Sequence, residues 1–344
     1  MKTLRTIWRE LRDSPFTFFY ILLPVLRNRR SGGELKRLTP AIGKLRGSDL
    51  IVVAPFYGED RLLRTFLDHH RRLGVNIFVL LDLSESGGLA AQLQDAPDCA
   101  VWRPRGNKIR LKRALLWLNY LRWRYATGRW CLSLEPSDFI VFHHSETRKL
   151  KDLIEFVDSE RRDHVFGVTI EMYGDRPAAE LSAEPGKHPL EQLPYFDPLG
   201  YETAKPGRLR NVCVRGGPHR RLLFPSIPRR APALNRIPLV KWKWFYSYGA
   251  GTRAMMPRKL NIPHTVHHAN PTVCLLSFAQ LNDDAILARA AQAESGEFVV
   301  GTGDPIYPAT QKLKRLAPKI GISTIFTGST DLTNAGLLNP GQWF

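Results

Sequence analysis

The sequence has few cysteines, and they lie far apart. Cys99, Cys131, Cys213 and Cys274 are the only four among 344 residues, and no two of them are closely spaced. Zinc ribbons need cysteine pairs at short spacing, and small disulfide-stabilised domains need a much higher cysteine density, so both classes are excluded. A chain of this length can bury a substantial core, and its cysteine usage fits a reducing cytoplasm.

A glycine-rich phosphate loop and a membrane-spanning run are also missing. No Walker sequence is present, and no Gly-x-Gly-x-x-Gly follows a predicted strand, which excludes the common P-loop and dinucleotide-binding patterns. The apolar run Phe16–Leu26 contains Pro24 and is shorter than the roughly 20 residues that cross a bilayer. No small-residue cleavage site follows it, so we do not expect a secretory signal.

Acidic residues are absent from one long stretch of the chain. No Asp or Glu occurs between Thr203 and Asn282, where fourteen Lys or Arg residues fall, and residues 1–50 carry eleven basic against four acidic side chains. The formal net charge of +18 is therefore concentrated in two segments. Such segments attract phosphate groups, whether in nucleic acid, in anionic lipid headgroups or in phosphorylated small molecules.

The basic N-terminal segment, residues 1–33, has two interpretations. It combines an amphipathic start with the apolar run, which Arg27, Arg29 and Arg30 follow. Either it forms an interfacial helix that lies on anionic lipid, or its helix packs on the globular body. Ser31 and the two glycines after it are typical of a linker.

Apolar runs alternate with helical spacing over the first half of the chain. The pattern predicts strands or strand-like runs at 50–55, 76–81, 99–102, 130–134, 139–142 and 165–172, and helices at 59–73, 89–93, 108–125 and 147–159. This alternation indicates an α/β fold with a parallel sheet built from right-handed crossovers. His69 and His70 are expected on the solvated face of their helix.

Acidic residues occur where the predicted strands end. Glu135 and Asp138 flank a Pro-Ser turn between two apolar runs, Asp82 ends an earlier strand, and Glu59 follows the turn after the first strand. Each acid alone is explained by a helix cap or a turn. Ligands of open α/β sheets bind at the carboxyl ends of the strands, so acids gathered at that edge favour a site.

Several motifs occur in a set order along this framework. They are Val-Ala-Pro-Phe-Tyr-Gly-Glu-Asp (53–60), Phe-Val-Leu-Leu-Asp (78–82), Glu-Pro-Ser-Asp (135–138), Phe-Asp-Pro-Leu-Gly-Tyr (196–201), Arg-Gly-Gly-Pro-His-Arg-Arg (215–221) and Ile-Pro-Leu-Val-Lys-Trp (237–242). Their order resembles a bacterial branch of the family 2 glycosyltransferases, from about residue 49 to about residue 338. The resemblance implies a GT-A fold, which is a nucleotide-sugar-binding α/β sheet flanked by helices, with a basic C-terminal acceptor region.

This resemblance suggests a division of the chain into three parts. Residues 1–46 are a basic amphipathic extension, 47–300 are the GT-A domain, and 301–344 are a tail packed on that domain. Within the domain, 47–175 are the donor half and 176–300 are the basic acceptor half.

The resemblance also implies roles for particular residues. Pro55, Tyr57 and Glu59 would hold the base and ribose of the donor, with Asp82 and Ser137 beside them. Glu135, Ser137 and Asp138 occupy the place of the metal-binding Asp-x-Asp-Glu motif of the family. A hydroxyl is a poorer ligand for Mg²⁺ or Mn²⁺ than a carboxylate. Metal could bind through Glu135 and Asp138 alone, basic residues of 208–259 could neutralise the donor diphosphate instead, or catalysis could be lost.

The function that the resemblance implies is inverting sugar transfer. The donor is a nucleotide sugar, with a UDP-sugar favoured, and the acceptor is a surface glycan or glycolipid at the inner face of the cytoplasmic membrane. Asp138 is the predicted base, and Glu135 is predicted to contact the metal or the donor ribose. The residues predicted to contact the diphosphate or the acceptor are Arg215, Arg220, Arg221 and Lys241. Trp242 is predicted to stack on an acceptor sugar. A catalytically silent relative that binds a nucleotide or glycan is the alternative. A nucleic-acid-binding protein is disfavoured, because no known nucleic-acid module is present.

Overall fold

A computed structural model of the chain describes residues 15–58, 61–106, 113–181, 187–204, 211–249, 251–262, 270–281 and 312–343. Within them, nine strands form one sheet: β1 (Leu35–Arg37), β2 (Ile51–Phe56), β3 (Ile77–Asp82), β4 (Cys99–Pro104), β5 (Trp130–Ser133), β6 (Asp138–Val141), β7 (His164–Glu171), β11 (Asn235–Lys241) and β14 (Val273–Ser277). Short strands form three further pairs: β8 (Tyr195–Phe196) with β15 (Thr324–Ile325), β9 (Glu202–Ala204) with β10 (Cys213–Arg215), and β12 (Ser247–Tyr248) with β13 (Met255–Met256).

Helices cover both faces of the large sheet. They are α1 (Pro15–Ser31), α2 (Leu63–Arg72), α3 (Leu89–Gln92), α4 (Ala114–Ala126), α5 (Leu150–Ser159) and α6 (Ser329–Asn334). One core packs α2, α3, α5 and α6 against the sheet, and a second core packs α1 and α4 against its other face. The continuous apolar runs of β2 and β3 are buried along their whole length because both faces of these strands are covered.

The strand order of the sheet is β1-β4-β3-β2-β5-β11-β7-β14-β6. The pairs among β2, β3, β4 and β5 are parallel, as predicted, and so is the pair of β7 with β14. The sheet is nevertheless mixed, since β11 is antiparallel to both of its neighbours and β6 is antiparallel to β14. The predictions of an α/β fold and of parallel pairing among these strands are therefore confirmed, and the antiparallel strands were not predicted.

Strands from both predicted halves of the chain lie in this one sheet. β11 and β14 come from residues 176–300, yet they pair directly with β5 and β7. β6 is an edge strand that starts beside the end of β14. The four residues between β5 and β6 therefore run past the start of β11 and the ends of β7 and β14.

The N-terminal segment contributes packed structure. Ile21 and Val25 of α1 are buried against the α4 side of the sheet, and β1 pairs with β4 directly after the helix ends. Ser31 is therefore the last residue of a helix and not part of a free linker. Leu23 and Leu26 on the same helix remain half exposed, at 49% and 50%. Among the helices that the structure describes, none has both the length and the apolar character needed to span a bilayer.

His70 of α2 is buried and His69 is partly buried, which corrects the prediction of a solvated face. His70 has no exposed surface, and its Nδ1 is hydrogen-bonded to the Phe66 carbonyl at 2.7 Å. His69 is hydrogen-bonded through Nε2 to the Ile140 carbonyl at 3.0 Å, and burial lowers the pKa of His69 to about 4. Both rings therefore pack as neutral side chains.

Candidate functional site

Asp138, Ser277 and Glu171 lie side by side at the carboxyl edge of the sheet. Ser277, at the end of β14, pairs with Glu171 at the end of β7 and with Asp138 at the start of β6. Paired residues on neighbouring strands present their side chains on the same face. This register therefore places a carboxylate on each side of one hydroxyl, although the three residues are far apart in the sequence.

The acidic turn between β5 and β6 is closed by its own hydrogen bonds. The Asp138 N–H donates to the Glu135 carbonyl at 2.9 Å, and the Glu135 N–H donates to the Asp138 carboxylate at 3.4 Å. The Phe278 N–H donates to the Ser137 carbonyl at 2.9 Å, which connects the turn to the end of β14. The turn is thus a fixed part of the sheet edge.

Asp138 is buried, with 6% of its surface exposed. Burial and then the neighbouring Glu135 carboxylate raise the pKa of Asp138 to about 6, while Arg236 and a hydrogen bond from Ser277 partly oppose this change. A carboxylate with a pKa near neutrality can accept a proton from a substrate and hold it during a reaction. The position and the pKa of Asp138 therefore suit a general base.

Glu171, the third of these neighbouring residues, also forms a buried pair with His219. Nδ1 of His219 is hydrogen-bonded to Glu171 Oε1, and the His219 N–H donates to Oε2 at 3.3 Å. Gly217 permits this approach, because its φ is +70° and a Cβ at that position would lie 2.6 Å from Glu171 Oε2. The Gly-Gly-Pro-His segment of the sequence thus serves to place His219 beside Glu171.

Two arginines lie near the acidic turn, and two more are linked to them through their charges. Arg236 is close enough to Asp138, and Arg122 close enough to Glu135, for their charges to interact, and Arg253 interacts in the same way with Arg236. Burial and then Arg236 lower the pKa of Arg253 to about 10, with a smaller contribution from a fourth arginine. We refer to these residues as the arginine cluster: Arg122, Arg215, Arg236 and Arg253.

The residues predicted to hold the donor base and ribose lie near the ends of β2 and β3. Pro55 is buried within β2, and Tyr57 is half-buried directly after that strand. Glu59 lies outside the described residues. Asp82 has no exposed surface; its carboxylate accepts from the Ser84 N–H at 2.9 Å and lies 3.2 Å from Nη1 of Arg103. Asp82 is therefore held by side chains and backbone of its own chain.

The basic residues of the 215–221 motif have different positions. Arg215 belongs to the arginine cluster. Arg220 forms an ion pair with Glu202, and Arg221 forms one with Asp197 at 3.0 Å and donates to the Pro318 carbonyl at 2.7 Å. Arg220 and Arg221 are therefore engaged by carboxylates of the chain.

Lys241 and Trp242 lie at the opposite edge of the sheet. Lys241 pairs in register with Trp130, at the start of β5, because β11 runs antiparallel to that strand. Lys241 forms an ion pair with Asp158 at 2.8 Å, and Trp242 is buried with no exposed surface. This placement does not agree with a contact of Lys241 to the donor diphosphate. It also leaves Trp242 no open face on which a sugar could stack.

A divalent cation at the acidic turn would need several oxygen ligands. No group of three or more His, Cys, Asp or Glu side chains in the described part of the chain is arranged to hold a metal ion. Ser137 is a poor ligand, and the positive charges of Arg122 and Arg236 beside Glu135 and Asp138 oppose the binding of a cation. The donor set therefore does not fit Mg²⁺ or Mn²⁺. The His-x-x-His-His sequence at 264–268, whose spacing is like that of zinc ligands, lies outside the described residues.

Sequence reasoning missed part of this constellation. Arg122, Arg236, Arg253 and His219 were not among the predicted site residues, although the last three fall in the acid-free stretch. That stretch was the available signal, but it contains fourteen basic residues and does not distinguish among them. Nothing in the sequence distinguished Arg122 from the other basic residues of the predicted helix at 108–125.

Comparison with known proteins does not assign the chain to a family. No protein-family model matches the chain, and no curated protein matches it. Among solved structures, the chain is similar to 4-diphosphocytidyl-2C-methyl-D-erythritol synthase at 15% sequence identity and a TM-score of 0.23, over 42% of this chain and 68% of that one. A similarity at this score carries no functional argument. The class that the structure defines is a mixed α/β protein with a large central sheet between helices; membership of the family 2 glycosyltransferases stays a prediction from the motifs.

Proposed function

We propose that the protein transfers a sugar from a nucleotide-sugar donor, with a UDP-sugar favoured, to a hydroxyl group of a glycan or glycolipid. The observation that carries this proposal is the position of Asp138. A buried carboxylate with a pKa of about 6 lies near Arg236 at the carboxyl edge of an α/β sheet. Ligands bind at that edge in open sheets of this class. The motif order of the sequence supports the same reaction.

Transfer in this site is a single displacement with inversion at the anomeric carbon. The acceptor O–H gives its proton to Asp138, and the acceptor oxygen forms a bond to the anomeric carbon. The bond from that carbon to the diphosphate oxygen breaks, and its electron pair leaves with the nucleoside diphosphate. A base with a pKa close to the working pH is the efficient choice for this proton transfer.

The donor is proposed to lie between the end of β2 and the acidic turn. Tyr57, half-buried after β2, is the candidate for contact with the nucleotide base. Glu135, which is partly exposed at the start of the turn, is the candidate for the ribose. Pro55 shapes the floor of this region from within β2, and Asp82 supports it through its ion pair with Arg103.

The acceptor is proposed to be reached at an anionic membrane surface. On α1, Leu23 and Leu26 are half exposed, and Arg27 and Arg30 are exposed beside them. Apolar side chains bordered by basic ones are typical of helices that lie at the interface of an anionic bilayer.

A protein that binds the nucleotide sugar without transferring it is the second candidate. The observation that favours it is Ser137, which occupies a place where a metal-dependent enzyme would carry a carboxylate ligand. Nucleotide binding without turnover would support this second candidate.

Release of nucleoside diphosphate and formation of glycoside distinguish the two candidates. We expect the full-length protein to turn over at least one member of a panel of UDP-, GDP- and dTDP-sugars when glycan and glycolipid acceptors are supplied. Asp138→Asn should lower the transfer rate by about 10²–10⁴-fold, the usual contribution of a general base. Glu155→Gln, which removes an exposed carboxylate on α5, is the matched control and should keep full activity. No turnover across the panel, with EDTA or with Mn²⁺, would contradict the transferase proposal.

A further inference from the structure

We propose that a pocket beside the C-terminal end of α4 binds an amphiphilic anion, namely a phosphate group that carries an alkyl chain. The pocket has a volume of about 470 Å³ and is lined by Arg37, Ile42, Leu45, Trp123, Arg124, Tyr125 and Thr127. This volume is typical of a small-molecule site. The proposal does not rest on the transferase reaction, because none of these residues belongs to the acidic turn.

The pocket lies where the chain enters the sheet. Leu45 precedes β2, and Thr127 follows α4 and precedes β5; these two strands begin at Ile51 and Trp130. Because β2 and β5 are parallel, both begin at the same edge of the sheet, and the acidic turn follows the other end of β5. The pocket is therefore separate from the site around Asp138.

One wall of the pocket is apolar and preformed. Ile42 and Leu45 pack against the second core, and Trp123 is half-buried beside them in the lining. The segment that carries the first two is held by Arg129, whose Nε donates to the Arg46 carbonyl at 2.7 Å and whose Nη2 donates to the Leu45 carbonyl at 3.2 Å. An alkyl chain that binds a preformed wall does not have to order the protein first.

Two arginines supply positive charge to the same pocket. Nη2 of Arg37 donates to the Pro40 carbonyl, and Nη1 of Arg124 donates to the Tyr120 hydroxyl at 3.4 Å, so both hydrogen bonds go to uncharged oxygens. In the described part of the chain, Nε of Arg37 is buried and has no hydrogen-bond partner. Among the described lining residues there is no Asp or Glu. A charged group with an unused donor favours an anion as its partner.

The combination of these groups identifies the ligand class. A free phosphate would use the two guanidinium groups but leave the apolar wall in contact with water. An uncharged hydrocarbon would leave both charges without a partner. Guanidinium forks match phosphate oxygens, and each buried methylene group improves affinity by about fourfold. A lipid phosphate satisfies both the basic and the apolar part of the pocket.

The basic end of α1 borders the pocket. The Arg29 guanidinium lies 4.7 Å from the centre of the Trp123 ring, which belongs to the lining. Arg27 and Arg30 are exposed on the same helix, which also carries the two half-exposed leucines. Basic pockets beside a membrane surface bind lipid headgroups. A lipid phosphate in this pocket would therefore anchor the protein at the surface that α1 is proposed to contact.

Isothermal titration calorimetry of the full-length protein tests the pocket with decyl phosphate below its micelle concentration. Inorganic phosphate and decanol serve as the two separate parts of that ligand. We expect one decyl phosphate to bind per chain, about a hundredfold more tightly than inorganic phosphate, because four buried methylene groups already give that factor. It should bind about tenfold or more tightly than decanol, which makes no charge-assisted hydrogen bond.

Variants separate the basic and the apolar part of the pocket. Arg124→Gln should raise the Kd of decyl phosphate by about tenfold or more, because it removes a charge-assisted hydrogen bond. Ile42→Gln should raise that Kd by about tenfold and leave the Kd of inorganic phosphate unchanged. Arg64→Gln, which removes an exposed charge from α2 on the other face of the sheet, is the matched control and should bind like the unaltered protein. Arg124 is exposed and Ile42 is only half-buried, so urea midpoints should stay close to that of the unaltered protein.

Several outcomes would overturn the inference. They are no binding of decyl phosphate, binding of many molecules per chain, or equal affinities of the Arg124→Gln, Ile42→Gln and Arg64→Gln variants. Inorganic phosphate that binds as tightly as decyl phosphate would likewise reject a lipid and assign the pocket to a soluble phosphate. Asp138→Asn should bind decyl phosphate like the unaltered protein. Saturable binding of decyl phosphate without transfer from any sugar nucleotide would uphold the pocket and reject the transferase proposal.

Discussion

Replacing Asp138 by asparagine should make the folded protein more stable at neutral pH while it removes the proposed base. The change of the pKa from 3.8 to about 6 means that ionised Asp138 is disfavoured in the folded state. At neutral pH this corresponds to about 3 kcal/mol of unfolding free energy. Asparagine occupies nearly the same volume and carries no charge, so the variant avoids this cost.

The sign of the pH dependence follows from linkage. Because the folded-state pKa is raised, the folded protein binds more protons than the unfolded chain between pH 3.8 and about 6. The stabilising contribution of the protonated Asp138 is complete below pH 3.8 and is lost as the pH rises through about 6. Between pH 5 and pH 8, the unaltered protein should lose about 1.4 kcal/mol relative to Asp138→Asn.

Urea denaturation of both proteins across this pH range measures the difference. Glu155→Gln provides the control, because its carboxylate is exposed and its stability difference from the unaltered protein should not change with pH by a comparable amount. A stability difference between the unaltered protein and Asp138→Asn that is constant from pH 5 to pH 8 would show that the pKa of Asp138 is not raised. The pKa would then no longer support Asp138 as a base at neutral pH.

Three further predictions concern residues around the site. Trp242→Ala should lower the unfolding free energy by about 3–5 kcal/mol, since this side chain is fully buried. Urea denaturation measures this loss, and a loss below about 1 kcal/mol would contradict the buried position. Arg103→Gln should cost about 3 kcal/mol in the same assay, because it leaves the buried Asp82 carboxylate without its positive partner, and an unchanged midpoint would refute this dependence. Replacing Leu23 and Leu26 together by serine should weaken binding to phosphatidylserine vesicles by about tenfold or more. Stability should not fall, since both leucines are half exposed. Equal sedimentation of both proteins with the vesicles would contradict the proposed contact of α1 with a membrane.

Much of the sheet was predictable from local sequence. The runs that predict β2, β3, β4 and β5 are almost entirely apolar, and the structure starts and ends these strands within two residues of the predicted bounds. Their parallel arrangement follows from the helices between them. The position of the acidic turn at a strand end was also predictable, because one apolar run precedes the turn in the sequence and another follows it.

Other features depended on pairing between distant segments. Arg236 and Lys241 lie on the same strand, yet one is near Asp138 and the other lies at the far edge beside Asp158. Only the antiparallel direction of β11 decides which end reaches the site. The same holds for Ser277, which lies between two carboxylates because of the register of β14 with its two neighbours.

The sequence by itself thus determined the α/β alternation, the location of the acidic turn and the accumulation of positive charge in one acid-free stretch, because composition and periodicity are local properties. The tertiary structure alone decided which arginines belong to the site, that Trp242 is buried, and that Arg122 reaches the end of β5 from α4. Strand direction, register and helix packing set these positions, and they arise from contacts between segments whose partners no local pattern specifies.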